Sequence, residues 1–249
     1  MATARSETHR PYSRPPERDL ISDLPDDLLH AILAGLRSAD AAARTSILSR
    51  RWRRVWAHLP ALSFIPDFGH PMTPTQVVDR VDAALHARAA AGSTVNLLEI
   101  WAATVTADRV APWLRFASQR LAGGLWLSLQ SITFTDIELP QLERASSITL
   151  FLSRIRLRFN LPPAGGAFTA LATMLIRYAH VDGSELDGVL SARCPNLKEL
   201  TLEYITADGD LFICSDTITK KGCRGGRKPS VGAAWSIRRC ATVATESAL

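Results

Sequence analysis

Hydrophobic residues between Asp23 and Pro60 recur with the spacing of helices. A first helix is expected to begin at Pro25, where the missing N–H of proline costs no hydrogen bond. Its apolar face consists of Leu28, Leu29, Ile32, Leu33 and Leu36. A second helix is expected over 41–48, with Asp40 as its cap. A third follows Ser49, and its apolar face consists of Trp52, Val55, Trp56 and Leu59. We therefore predict three short amphipathic helices.

The next part of the chain is predicted to change from linker to alternating helix and strand. Residues 61–75 contain three prolines and a glycine, which favours a linker. A helix is expected from Pro74 to about Ala90, capped by Thr73, and residues 95–102 are expected to form a buried strand. A further helix is expected from Asp108 to Leu121, closed by the glycine pair at 123–124.

A repeat of 26 residues follows. Ile148, Met174 and Leu200 share this spacing, and so do Leu150, Ile176 and Leu202. Within each copy the two residues are two apart, so they lie on one face of a strand. "CPNLKELTLEYI" gives the clearest copy, beginning at Leu197, and "GGLWLSL" is a further copy outside the period. This spacing and leucine pattern are typical of leucine-rich repeats, which stack into a curved solenoid.

Both ends of the chain differ from this pattern. Residues 1–19 are polar and contain prolines, so we expect a disordered leader. Residues 220–249 show no period and no repeat leucines, so we expect a disordered tail. That tail would leave the last repeat uncapped, with an open strand edge.

Charge adds a hint of nucleic-acid binding, but most of it is confined to the tail. The net charge is +5, and residues 220–249 hold seven lysines and arginines against one glutamate. The rest of the chain therefore offers no broad cationic face for phosphate. Basic and aromatic residues alternate in "SRRWRRVW", which suits nucleic-acid or nuclear-import binding as well as an amphipathic helix with a solvated arginine face. The "KKGCRGGRK" of the tail likewise suits a solvated run or a localisation signal.

Candidate chemistry is sparse. No motif for a phosphate loop, dinucleotide, zinc protease or nucleophile elbow occurs, and the six histidines are scattered. Cys194, Cys214, Cys223 and Cys240 lack zinc-ligand spacing and are expected to be reduced thiols. Asp26 and Asp27 diverge by about 100° on a helix, which argues against a shared acid–base site. We expect no catalytic group, no metal and no cofactor. We also expect no membrane span and no signal peptide, and a cytoplasmic or nuclear location.

The run "ISDLPDDLLHAILAGLRSADAAARTSILSRRWRRVWAHLPAL" resembles an F-box, specifically that of plant F-box/leucine-rich-repeat proteins of the FBD-related type. The segments "APWLRFASQRL", "ERASSITL" and "ARCPNLKELTL" resemble the repeat region of the same family. Arg37 stands where the family usually has proline, and the tail replaces further repeats, which suggests a truncated or misread end. The resemblance implies the substrate receptor of a Skp-cullin-F-box ubiquitin ligase, without catalysis of its own.

The expected fold class is α+β with an α/β repeat. A three-helix F-box covers 20–60, a linker covers 61–75, a short leucine-rich-repeat solenoid covers 76–219, and a disordered basic tail covers 220–249. The repeat core is expected to consist of Ile148, Leu150, Met174, Ile176, Leu197, Leu200 and Leu202.

Three helices are too few to bury all their own apolar surface, and an exposed apolar patch marks an interaction site. We expect the patch to meet a Skp-type adaptor, which links to cullin, while the repeats hold an unidentified protein substrate. The expected adaptor-binding residues are Leu24, Pro25, Leu28, Ile32, Leu36, Ile47 and Leu48. The expected core residues are Leu29, Leu33, Trp52, Val55 and Trp56, of which the last three could instead contact the rim of the adaptor.

Other functions stay open at this point. The chain could be a repeat scaffold without adaptor binding, or a truncated product without function. A hydrolase in the repeat region is a further alternative, although no nucleophile–base pair points to it.

Overall fold

A computed structural model describes residues 23–35, 45, 49–56, 58–65, 72–160, 168–209, 211–214, 218, 220–224 and 235–238. The expected leader lies outside these residues. The expected second helix does too, apart from Thr45. Of the three predicted N-terminal helices, the first and third are therefore described.

Helices and strands alternate irregularly along the described chain. The helices are α1 (Asp26–Gly35), α2 (Arg50–Trp56), α3 (Pro74–Ala91), α4 (Ala107–Arg120) and α5 (Gly183–Ala192). The first four strands are β1 (Ala61–Phe64), β2 (Val95–Ala103), β3 (Leu121–Pro140) and β4 (Ser147–Asn160). Then follow β5 (Thr173–Arg177), β6 (His180–Asp182), β7 (Glu199–Glu203), β8 (Thr206–Asp208), β9 (Leu211–Cys214), β10 (Lys220–Arg224) and β11 (Trp235–Arg238).

A parallel sheet in the order β1-β2-β3-β4-β5-β7-β10 organises the molecule. The 26-residue spacing appears directly in its register, because Ile148 lies beside Met174 and Met174 beside Leu200. Leu125, from the copy outside the period, lies beside Ile148 and adds one more rung. Apolar residues of neighbouring strands therefore form continuous buried rows, and each strand is covered by the next.

A shorter parallel ladder continues from the same long strands. The second halves of β3 and β4 pair over Thr135–Pro140 and Ile155–Asn160. Strand β6 pairs with β4, and β8 pairs with β6. Strands β9 and β11 form a separate parallel pair.

Local sequence fixes where three of the helices begin. Thr73 accepts the N–H of Gln76, and the Gln76 side chain accepts the N–H of Thr73, which completes a capping box for α3. Ser49 Oγ accepts the N–H of Trp52 at 3.3 Å at the start of α2. Asp182 caps α5 by accepting the N–H of Glu185.

The end of α4 differs from the prediction of a glycine stop. The helix ends at Arg120, Leu121 is extended, and the chain passes directly into β3. The glycine pair therefore lies inside the strand. A Cβ at Gly123 would collide with the Asn96 carbonyl oxygen, so the glycine is required by close backbone packing rather than by a helix end.

Two predicted irregular segments contain strands. Ala61–Phe64, at the start of the expected linker, pairs with β2 because its alternating Leu62 and Phe64 are buried in the sheet core. In the expected disordered tail, β10 pairs with β7, and β11 pairs with β9. The open edge of β7 offers free backbone groups, and an extended segment satisfies them whatever its side chains are. The prediction of irregular chain is corrected for these segments.

Two hydrophobic clusters result, one in the helices and one under the sheet. The smaller cluster, which we call the helical core, consists of Leu29, Leu33, Trp52, Val55, Trp56 and Leu59. The larger cluster, the sheet core, extends from Leu62 to Ile218. Ala84 of α3 packs against both clusters, so α3 contacts the helical core and the sheet core.

Candidate functional site

Helix α1 has one buried and one exposed apolar face. Leu29 and Leu33, four residues apart, are 0% and 2% exposed in the helical core. Leu28 and Ile32, with the same spacing, are 50% and 45% exposed. A helix of ten residues that packs one face against a single neighbour leaves its other apolar face to solvent. The exposed pair therefore forms an apolar surface that no described residue covers.

Polar contacts hold this surface in place. Arg51 of α2 forms an ion pair with Asp26 at 2.7 Å and also donates to the Leu24 carbonyl. The His30 ring lies 3.1 Å from the Val55 carbonyl through Nε2. The start of α1 is thus tied to the side of α2, and Leu28 and Ile32 are presented on a fixed helix.

The other expected adaptor-binding residues fall into two groups. Leu24 is half-buried against the helical core, and Pro25 is exposed beside Leu28. Leu36, Ile47 and Leu48 lie outside the described residues. The expected core residues Leu29, Leu33, Trp52, Val55 and Trp56 are all buried.

The arginines of α2 are not equivalent. Arg50 and Arg54 are exposed, whereas Arg51 is half-buried and engaged with Asp26. One guanidinium of the basic-aromatic run therefore holds the helical unit together instead of facing a phosphate. This arrangement agrees with an amphipathic helix whose tryptophans face inward.

Arg88 joins the helices to the sheet region. Its side chain is fully buried, and its two terminal nitrogens donate to the Trp56 carbonyl at the end of α2 and to the Leu59 carbonyl just beyond it. The Trp56 carbonyl also accepts the Leu59 N–H at 3.2 Å, and a cation is favourable at a helix C-terminus. Burial lowers the pKa of Arg88 from 12.5 to about 10, which leaves it charged at neutral pH. Nothing in the sequence pattern of α3 pointed to this role.

A second surface lies on the face of the main sheet opposite the sheet core, which we call the open face. Its residues alternate with the buried ones, and they form rows across the strands. One row runs through Trp101, Ser128, Phe151, Arg177 and Glu203. Sequence reasoning did not single out these residues. The signal was present, because each directly follows a buried apolar residue in the alternating pattern of its strand.

Aromatic rings dominate the open face. Phe151 lies 5.6 Å from Trp126 between ring centroids, and Tyr178 stacks on Tyr204 at 5.1 Å. Tyr178 directly follows β5 and Tyr204 directly follows β7, and both have positive φ, 59° and 53°. Arg177 lies over the Phe151 ring at 5.4 Å. Such a concentration of exposed aromatic surface is typical of binding faces.

A cleft of about 560 Å³ lies between α3 and α4. Asp82 accepts from the Trp113 indole and forms an ion pair with Arg109 at 3.1 Å, so these polar groups are already paired. None of the lining residues is a serine, threonine, cysteine or lysine, so no hydroxyl, thiol or amine nucleophile of these types lines the cleft.

Other chemistry is limited in the described part of the chain. No cluster of three or more histidine, cysteine or acidic side chains there is arranged to hold a metal ion. Cys194 is a buried free thiol, and burial raises its pKa to about 12, which keeps it protonated and unreactive. No helix within the described ranges has both the length and the apolar character needed to cross a bilayer.

Comparison with known proteins places this geometry in context. The F-box domain family matches residues 21–63, which include α1, α2 and β1. An F-box/FBD/LRR-repeat protein of Arabidopsis thaliana is 30% identical over 210 residues, covering 78% of this chain and 44% of that protein. An F-box/LRR-repeat protein of the same plant is 29% identical over 194 residues, covering 75% and 38%. F-box/LRR-repeat protein 25 is 48% identical over 60 residues, 23% of each chain. No solved structure matches the chain significantly.

The resemblance inferred from the residues is confirmed by these matches. The chain contains an F-box domain, and it is similar over most of its length to plant F-box/LRR and F-box/FBD/LRR-repeat proteins. It spans 38% to 44% of the length of these longer relatives.

Proposed function

We propose that this F-box chain is a substrate-receptor subunit of a Skp-cullin-F-box ubiquitin ligase, acting in the cytoplasm or nucleus. The observation that carries the proposal is the exposed pair Leu28 and Ile32 on α1, inside the segment that matches the F-box domain. The same helix buries Leu29 and Leu33, so the helix is packed against its core, and the pair is exposed because it lies on another face of the helix.

Burial of this pair supports a stable complex with a Skp-type adaptor. Covering one Leu or Ile contributes about 1.5–3 kcal/mol. Association costs several kcal/mol in lost freedom, so further contacts are needed. Leu24 and Pro25 lie next to the pair in the chain. Leu36, Ile47 and Leu48 lie outside the described residues, and we include them in the proposed contact from their sequence positions alone. The buried Trp52, Val55 and Trp56 act as the core that keeps α1 in position.

The sheet region supports the second half of the proposal. Its parallel strands keep the 26-residue register, and we interpret them as a short leucine-rich-repeat solenoid built on the buried repeat residues. Leu197 lies ahead of β7 and is buried with them. The aromatic open face is then the surface that presents a protein substrate. Transfer of ubiquitin needs no catalytic group in this chain, because the adaptor recruits cullin and the remaining subunits.

The decisive experiment measures adaptor binding by the full chain. Changing Leu28→Asp and Ile32→Asp together places two carboxylates on the contact, and we expect affinity for a purified Skp-type adaptor to fall by about 100-fold or more. Ile132→Asp is the matched control, since Ile132 is 66% exposed but lies on β3. Isothermal titration with circular dichroism of each variant separates lost binding from lost folding.

The outcomes are distinct. Unchanged adaptor binding by the folded double variant would contradict the proposed docking surface. Failure of the unaltered chain to bind any adaptor, with the sheet region intact, would instead favour a repeat scaffold or a truncated product without a ligase role.

A further inference from the structure

We propose that the open face holds a slot for one cationic side chain, a lysine or arginine of the substrate protein, between Trp101 and Phe151. This inference rests on the proposed function, because it specifies what the substrate-presenting face recognises. The slot is built from one cavity, the spacing of three strands, and the charges around them.

The cavity has the size of a side chain. Its volume is about 170 Å³, below the roughly 300–1,000 Å³ of pockets for drug-sized ligands. Aromatic residues Trp101, Phe151 and Tyr178 line it, together with the small or polar residues Ser128, Gln130 and Ser153. No hydrogen bond within the described chain engages the side chains of these last three. The cavity thus offers aromatic walls and uncharged acceptors, and its lining has no basic group for an anion.

Strand register sets the width of the slot. Trp101 on β2 lies beside Ser128 on β3, and Ser128 lies beside Phe151 on β4. Neighbouring strands are about 4.8 Å apart, so the two aromatic residues begin about 9.6 Å apart with only a serine between them. A cation above Ser128 would therefore lie about 5 Å from the backbone that carries each ring, a spacing comparable with the roughly 6 Å over which a cation and an aromatic face attract.

Charges on the same face favour a cation. Glu99 lies two residues before Trp101 on the same side of β2, half-buried, and no ion pair within the described residues neutralises it. Arg177 would repel a second cation, but Glu203 holds it at 2.6 Å. Glu99 is therefore the charge left to attract a ligand at the Trp101 end of the face.

The molecule already uses the same interaction twice. The Arg177 guanidinium lies 5.4 Å from the centre of the Phe151 ring, and that of Arg156 lies 5.5 Å from the centre of the Phe134 ring. Phe151 thus receives a cation from its β5 side within the chain, and on its β3 side it contacts Trp126 and lines the slot beside Ser128.

The test uses the full chain labelled with 5-fluorotryptophan, in which the Trp101 fluorine resonance is assigned from Trp101→Phe. The probes are seven-residue glycine-serine peptides with one central residue: lysine, Nε-trimethyllysine, its neutral tert-butyl isostere, or glutamate. We expect the two cationic peptides to shift the Trp101 resonance. The isostere should bind about 10-fold more weakly, and the glutamate peptide should give no shift.

Two variants localise the effect. Trp101→Ala should weaken binding of the trimethyllysine peptide about 10-fold, as measured by fluorescence anisotropy of the labelled peptide. Phe134→Ala is the matched control, because Phe134 is 49% exposed, close to the 44% of Trp101, but does not line the cavity. Equal binding of the neutral isostere would overturn the proposal. A Trp101 resonance that does not move at millimolar peptide would also overturn the proposal. That result would mean either that the slot rejects the cation or that the basic segment of this chain already fills it.

Failure of this proposal is separable from failure of the proposed function. The Leu28→Asp and Ile32→Asp variant should lose the adaptor and keep peptide binding, and Trp101→Ala should do the reverse. Loss of both activities in both variants, with folding intact, would contradict the assignment of separate surfaces.

Discussion

The helical core and the sheet core both bury apolar side chains, but they differ in size and in how completely they bury them. Under the sheet, each strand is covered by its neighbours in register, and apolar rows continue from β1 to β7. Among the described residues the helical core has six buried side chains, and it leaves Leu28 and Ile32 outside. A repeated element buries its apolar face by stacking, whereas a single small cluster depends on a partner to cover what remains.

The junction between them shows how a small unit is kept in a defined place. Arg88 reaches from α3 to the end of α2 and donates to the Trp56 carbonyl and to the Leu59 carbonyl beyond the helix. The position of the proposed adaptor surface relative to the open face therefore depends on a buried charge as well as on apolar contact.

Core truncations test the comparison most strongly. Ile176→Ala and Leu29→Ala each remove a side chain that is 0% exposed, and each should cost about 2–5 kcal/mol locally. Hydrogen exchange should rise across β4, β5 and β7 for Ile176→Ala, because those strands share one ladder. For Leu29→Ala it should rise only in α1 and α2.

Leu28→Ala is the matched control for Leu29→Ala, one position along the same helix. It should leave stability nearly unchanged, because half of the side chain is already in solvent. An equal loss in both variants, measured by urea unfolding, would contradict the two-faced description of α1.

Removing the junction charge should have an intermediate effect. Arg88→Met removes the donor to the Leu59 carbonyl and one of the two donors to the Trp56 carbonyl, which should destabilise the helical unit by about 1–3 kcal/mol. The Nε of Arg88 has no partner, so relief of that unpaired group offsets part of the loss. Hydrogen exchange should increase in α2 and stay unchanged in β5 and β7. Arg115→Met, at an exposed position of α4, should change neither.

Acid should have the smallest effect, confined to the sheet region. The Ser184 hydroxyl, followed by the Glu185 N–H, lowers the pKa of Asp182 below its ordinary 3.8. The resulting stabilisation is complete above pH 3.8 and is lost as pH falls through the lower pKa of the folded state. Urea midpoints followed against pH should show this loss, and Asp182→Asn should remove it. Exchange that increases first in α1 would contradict the assignment to α5.

Local patterns predicted much of this molecule because they involve near neighbours in the chain. Thr73 was expected to cap α3, and it does so through a capping box. The 26-residue spacing anticipated which residues lie side by side in the sheet. The glycine pair was misassigned to a helix end, since only the folded sheet brings the Asn96 carbonyl against Gly123.

The sequence by itself determined the amphipathic helices, the repeat period and the likeness to F-box proteins, because each depends on residues at fixed separations along the chain. Only the tertiary structure decided the burial of Arg88, the pairing of β10 with β7, and the meeting of Trp101, Ser128 and Phe151. These contacts join residues that are at least 21 positions apart in the chain. The backbone pairing of β10 and the burial of Arg88 leave no periodic mark in the chain, whereas the open-face residues follow the alternation of their strands but meet only in the folded sheet.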